Sequence, residues 1–313
     1  MRLRPSTALA AVYVVVRIAL SAAGEEEVVP IIDVAFLISI LYALTRDVEE
    51  DITELGVHGL FNVLVVSWVA AIPQTVVALY FASVGRYEAA FYDSMVSTLV
   101  DAFLVTALVR WSYLDAIRRD WLFIVLWVAA TLAYGALIDL PLPGWHHAWF
   151  IVGALLLPLA FSKGLVAKIR LDMYNAVNLA VNALILGWTA WDIGEALVSW
   201  HMASEAALGA LAAVIATIPD LMTALLIRAV VGRRIAEIAA SEDAIRTMFA
   251  AAIHDQISVP ALIVLVAPQA AAAFPHWLNI AVSVLKFTLL DRRAFLLGLA
   301  ASIYIIATLM LGV

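Results

Sequence analysis

Eleven mostly apolar stretches follow one another with only short connections, near 7–23, 30–46, 55–83, 87–112, 120–139, 146–162, 174–199, 204–231, 245–267, 274–290 and 293–312. A helix needs about 20 residues to cross the hydrocarbon core of a bilayer. Inside lipid every backbone N–H and C=O has to be satisfied by the chain itself, so stretches of this kind become helices. Apolar residues make up 65% of the chain and charged residues 14%, against about 45–50% and about 25% in soluble domains. The sequence therefore reads as an all-α integral membrane protein with about 11 transmembrane helices. The connections leave no room for a soluble domain, and no basic surface suited to nucleic acid is present. With no cysteine, disulfides and thiolate metal sites are excluded.

Charge sets the expected orientation. With the N-terminus in the cytoplasm, the inside loops hold 15 of the 18 basic residues, the outside loops hold only Arg86, and Arg17 and Lys286 fall within spans. Basic residues concentrate on the cytoplasmic side of membrane proteins. The expectation is a multi-pass protein of the cell membrane with a cytoplasmic N-terminus and its C-terminus outside. Residues 1–29 form an extra helix and an outside loop, 30–165 a first five-helix unit and 166–313 a second. Five is odd, so the two units cross the membrane in opposite senses and form an inverted repeat.

A motif recurs between the units. Ala71-Ile72-Pro73-Gln74 in the third stretch is answered, 146 residues later, by Thr217-Ile218-Pro219-Asp220 in the eighth. The following stretch carries an aspartate in each case, at Asp101 and Asp255. Proline within a helix removes one backbone hydrogen bond and frees a carbonyl. Interrupted helices at corresponding places in two halves point to a midplane site in secondary transporters. Helix breaks are accordingly expected at Pro73 and Pro219.

The polar groups in these stretches are all oxygen donors: the carboxylates of Asp101, Asp220 and Asp255, the amide carbonyl of Gln74, and the hydroxyls of Ser97 and Thr217. Intramembrane carboxylates are costly and by default functional. Arg17 and Lys286 are expected to snorkel to an interface, which leaves a bound cation or protons to neutralise the cluster. Hard cations take such ligands, about 6–8 oxygens for Ca²⁺. Asn175, Asn178 and Asn182 share one helical face and read as interhelical glue, with a cation pathway second. Asp192 and Glu195 read as interfacial, with the lining of an outer vestibule as the alternative. His254 points away from Asp255, as packing or as a proton relay. No nucleophile–base pair or metal-binding His pair appears, so an enzyme is not expected.

These residues resemble the cation/Ca²⁺ exchanger superfamily. Its repeat runs approximately Leu-Gly-(Val/Ile)-Ser-(Pro/Glu), an apolar run, then Gly-Thr-Ser-x-Pro-Glu, with Gly-Asn-x-x-Gly-Ser-Asn-x-x-(Asn/Asp) on the next helix. Leu55-Gly56-Val57-His58-Gly59 and Ser204-Glu205-Ala206-Ala207-Leu208-Gly209 are similar to the entry, and the two Pro motifs to the centre. Asp101 follows Gln74 by 27 residues, as the family's final Asn/Asp does, and Ser97 matches the serine of Gly-Ser-Asn. Asp255 follows Asp220 by 35, which implies an insertion of eight. The family's two glutamates are replaced by Gln74 and Asp220, and most of its Thr-Ser hydroxyls are absent.

The resemblance implies an antiporter, functional as a monomer, that exchanges a divalent cation, Ca²⁺ first, for Na⁺ or H⁺ by alternating access and without a cofactor. Asp220 and Asp255 would be direct ligands, Asp101 a ligand or proton carrier, Gln74 a carbonyl ligand, and Pro73 and Pro219 hinges. The alternatives are a cation channel or uniport-like pathway, and a non-transporting relative that serves as a membrane partner or sensor.

Overall fold

A computed structural model describes residues 5–24, 60–109, 121–140, 143–161, 173–200, 204–218 and 249–312, together with 35, 38, 39, 43 and 202. Among them there are helices and turns and no strands. The helices are α1 (Pro5–Ala23), α2 (Leu60–Ser83), α3 (Tyr87–Leu99), α4 (Trp121–Leu137), α5 (Trp145–Phe161), α6 (Met173–Ser199) and α7 (Glu205–Ala216). They continue with α8 (Phe249–Val266), α9 (His276–Leu285) and α10 (Arg292–Leu311). Most of their limits fall within a few residues of the apolar stretches, because hydropathy in such a chain is the helix signal; α3 runs on beyond Leu99 as irregular and regular helix to Val109, and α7 covers only the first part of the stretch near 204–231. The stretch near 30–46 lies almost wholly outside the described residues.

Among the described residues, three helical segments are long and apolar enough to cross a membrane, Tyr87–Leu108, Phe249–Val266 and Arg292–Leu311. They differ in where they sit. The first two are 83% buried over their apolar windows and the last only 28%. The two helices that carry Asp101 and Asp255 are therefore central, and α10 lies on the periphery, with Leu297, Ile303 and Tyr304 turned outward. Such exposed apolar groups suit contact with lipid.

Local chemistry sets the ends. Asp291 caps α10 by accepting from the backbone N–H groups of Arg293 and Ala294 at 2.8 and 3.0 Å, and Gly312 closes it at φ +68°, a left-handed position that favours glycine. Ser204 caps α7 by accepting from the Ala207 N–H at 3.1 Å. Glu205 in the first turn of α7 accepts from Arg86 Nη1 at 2.8 Å and from the Ala89 N–H at 3.4 Å. The Ser204-Glu205 pair thus has a structural task at the start of α3 and α7. One turn on, Gly209 lies against Ala89, Tyr92 and the backbone of Asp93. Contacts that advance together along both helices mean that α3 and α7 run parallel, at glycine-permitted separation.

The expected break at Pro73 is not present. α2 is a single helix from Leu60 to Ser83 that passes through Pro73. A proline costs its helix one donor, and buried helices keep their course when neighbours support the flanking turns. Here α3 and α6 do so: Ile72 and Val76 lie over Gly187, and Tyr80 over Gly194, with Tyr80 edge-on to Trp191 at 4.9 Å. The second expected break, at Pro219, lies outside the described residues. α7 ends at Ala216, just short of it.

Candidate cation site

Among the described residues, the helices depart from regularity at the aspartates and not at Pro73. α3 passes at its end into a π-helical turn, Val100–Val105, and α8 contains another, His254–Ser258. Asp101 is the second residue of the first and Asp255 the second residue of the other. A π turn widens the helix and takes backbone carbonyls out of the regular ladder, and such turns gather at functional sites. In α8 the cause is visible in the sequence. Pro260 lacks an N–H and its ring crowds the carbonyl four residues earlier, that of Gln256, so the turn before it expands.

Hydroxyl groups take up the backbone carbonyls around the turns. Ser94 Oγ on α3 donates to the Asp255 carbonyl, and Thr98 Oγ1, one turn on, reaches the Ala252 carbonyl at 3.3 Å and the Ser94 carbonyl at 3.2 Å. Thr106 Oγ1 makes a long contact of 3.5 Å to the Asp101 carbonyl. The crossing of α3 and α8 is therefore held by small hydroxyl side chains, as is usual for helices packed in lipid. Asp101 and Asp255 are 3% and 0% exposed.

Around this crossing stand the other expected residues. Gln74 on α2, Ser97 on α3 and Thr217 at the end of α7 are all buried, and α2 packs against α3, α7 and the π turn of α8. Gln74 Oε1 and Ser97 Oγ have no hydrogen-bond partner among the described residues. Thr217 Oγ1 donates back to the Ala213 carbonyl at 2.8 Å, which leaves its oxygen free to accept. The structure thus places Gln74, Ser97, Thr217 and Asp255 on elements that pack on one another, while the π turn that carries Asp101, beyond the end of α3, packs against α10. Asp220 and Pro219 lie outside the described residues. No group of three or more His, Asp or Glu close enough to hold a metal ion is found among the described residues.

On the other side, the π turn of α8 is fastened by a network absent from the sequence reading. Gln256 Nε2 donates to Asn279 Oδ1 at 3.1 Å and to Ser283 Oγ at 3.3 Å. Asn279 Nδ2 donates to the Thr131 carbonyl at 3.1 Å, and the Thr131 and Ser283 hydroxyls are 2.9 Å apart. Gly135 makes room for the Asn279 amide against α4. Buried amides and hydroxyls matched in this way define one arrangement of the helices that carry them. The signal was available as Asn279-x-x-x-Ser283, one face of a helix. His254 Nδ1 lies 3.1 Å from Ser258 Oγ, within the same turn, which favours a packing role for it.

The two intramembrane cations do not snorkel as expected in the same way. Arg17 Nη1 donates to Asp192 Oδ2 at 3.0 Å, so Arg17 serves α6 and not the centre. Asp192 and Glu195 border a groove of about 1030 Å³ between α2 and α6, otherwise lined by apolar groups such as Ile72, Val76 and Trp188. Lys286 is fully enclosed, which overturns its expected place at an interface. Its Nζ sits 3.8 Å above the Trp127 ring and has no hydrogen-bond partner among the described residues. The ring face attracts the ammonium group, and helix packing by α4 closes the way out. The side chains of Asn175, Asn178 and Asn182 lie outside the described residues.

Replacing a buried ion pair by apolar side chains of similar volume is often neutral, or stabilising by about 1–4 kcal/mol, and a cation enclosed with no hydrogen-bond partner among the described residues has no such attraction to lose. Lys286→Met is therefore expected to melt at or above the wild-type temperature in lipid nanodiscs. A large drop would mean that the ammonium group holds a partner beyond Trp127.

No family model matches the chain, and no curated protein matches it. Among solved structures, that of native YfkE matches with a TM-score of 0.60, at 13% identity, over 98% of this chain and 100% of that one. Similarity at that identity speaks for architecture alone, and the chain shares the overall fold of that structure.

Proposed function

We propose that this chain is a secondary active antiporter of the cation/Ca²⁺ exchanger type, which exchanges a divalent cation, Ca²⁺ first, for Na⁺ or H⁺ by alternating access. The observation that carries this reading is the pair of π turns, each with a buried aspartate as its second residue, in two central helices joined by Ser94 and Thr98. Equivalent devices at equivalent places in two halves are what an inverted repeat of 30–165 and 166–313 would produce. Oxygen donors gathered around buried carboxylates suit a hard cation, and irregular helices at membrane depth suit a transport site. Asp101 and Asp255 would contribute carboxylates, Gln74 its amide carbonyl, and Ser97 and Thr217 hydroxyl oxygens, with Asp220 completing the set. Since α2 is continuous through Pro73, the hinges of the transport cycle are assigned to the π turns.

The test is reconstitution in liposomes, with radiolabelled Ca²⁺ uptake measured under an outward Na⁺ gradient, an outward H⁺ gradient, or neither. Uptake driven by one gradient supports exchange and names the coupling ion. Uptake without any gradient indicates a channel-like pathway. Absence of uptake for Ca²⁺ and other divalent cations under every condition would sink the reading.

A further inference from the structure

Asp93 is a carboxylate that the site above does not use. It is fully buried, and neither of its oxygens has a hydrogen-bond partner among the described residues. The hydroxyls nearest in sequence are engaged elsewhere, Ser94 on the Asp255 carbonyl and Thr98 on those of Ser94 and Ala252. Ser97 differs from them: its hydroxyl is buried and has no partner among the described residues. Positions 93, 97 and 101 recur every fourth residue, so they lie along one side of α3, about 6 Å apart in height.

Among the described residues, the segments packed on α3 bring no counter-charge to Asp93. Segments packed on α3 bring Tyr80 from α2, Glu205 from α7, His254 and Asp255 from α8, and His276 from α9. Glu205 is held by Arg86 at 2.8 Å and His276 by Asp139 at 2.9 Å. None of these segments contains Lys or Arg, and α3 itself adds Tyr87, Glu88 and Tyr92. A buried carboxylate without a cation or a hydrogen-bond donor has to be neutralised by something bound. A divalent ion takes about 6–8 oxygens, far more than Asp93 and Ser97 supply. One carboxylate balances one charge.

We propose that Asp93 is a binding station for a singly charged ion, a proton or Na⁺, one turn above Ser97 and two above Asp101. That this ion is the counter-ion of transport rests on the exchanger reading; the station itself rests on the surroundings of Asp93. In the transport cycle it passes along α3 between the Tyr87 end of the helix and the Asp101 level. The coupling ion and the divalent ion thereby occupy different carboxylates.

Two measurements test this. Purified protein in nanodiscs is treated with a hydrophobic carbodiimide, which reacts with protonated buried carboxyl groups, and the adducts are mapped by mass spectrometry. Labelling of Asp93 that Na⁺ suppresses at constant pH identifies a Na⁺ station. Labelling that ignores Na⁺ and fades as pH rises identifies a proton station. No labelling at any pH, or equal labelling under all conditions, overturns the proposal. In liposomes, Asp93→Asn is expected to lower the number of counter-ions moved per divalent ion by one, and an unchanged ratio overturns the coupling role. A wild-type protein that does not exchange at all would refute the exchanger reading, while the labelling experiment would still decide the station.

Discussion

Asp255→Ala is expected to abolish divalent-cation flux in liposomes while the protein still inserts and purifies in normal amounts. Asp255 is fully buried in the most enclosed part of α8. An aspartate at the centre of a membrane helix opposes insertion by about 2.5–3.5 kcal/mol, so its removal does not hinder assembly. The backbone carbonyl of Asp255 that Ser94 engages survives the substitution, which keeps the α3–α8 crossing intact. A bound divalent ion, by contrast, loses a charged ligand. Removing one partner of a buried charge pair costs about 3–5 kcal/mol, and every 1.4 kcal/mol is about tenfold in affinity. Binding and flux should therefore fall by about two to three and a half orders of magnitude, read as radiolabelled Ca²⁺ uptake per correctly inserted protein. Flux within a few-fold of wild type in both Asp255→Ala and Asp101→Ala would remove the π turns from the site.

Gly209→Ala is expected to destabilise the protein although it adds only a methyl group. A Cβ at this position would overlap the Ala89 carbonyl oxygen and lie 2.7 Å from Tyr92 Cβ and 2.9 Å from the Asp93 nitrogen. Two of these three neighbours are backbone atoms of α3 and cannot turn aside, so the helices have to separate. Overpacking of this kind costs about 1–3 kcal/mol, and it acts where Glu205 and Arg86 also join α3 to α7. The natural control is Gly153 on α5, beside which a Cβ would meet nothing within 4 Å. Gly153→Ala should be neutral, or stabilising by about 0.5–1 kcal/mol through helix propensity alone. Thermal unfolding of both variants in the same lipid is the comparison. Equal melting temperatures would show that α3 and α7 are not in close backbone contact.

The positions of the helices were legible in the chain because lipid leaves the backbone no choice: an apolar run of sufficient length must satisfy its own hydrogen bonds. The burial of Asp101 was legible from its apolar neighbours, Leu99, Val100, Ala102 and Phe103, whereas Asp255 stands between His254 and Gln256 and is buried together with them. The motif at Ser204-Glu205 was legible as a pattern, but its work as a helix cap and as a partner of Arg86 depends on α3 starting beside α7. Pro73 misled because a proline states only which hydrogen bond is lost, and packing against α3 and α6 decides whether the helix bends. Asp93 stood in the sequence four residues before Ser97 and eight before Asp101, yet periodicity alone cannot tell a buried side of α3 from an exposed one.

What the sequence determined by itself is an all-helical chain suited to a membrane, with carboxylates inside apolar stretches. Only the tertiary structure decided that α2 runs on through Pro73, and which polar groups have no partner among the described residues. Lys286 shows the division most simply. Its length and position allow it to reach an interface, and the sequence sets no limit on that. The Trp127 face and the packing of α4 enclose it instead, because burial belongs to the surroundings of a side chain and not to the side chain itself.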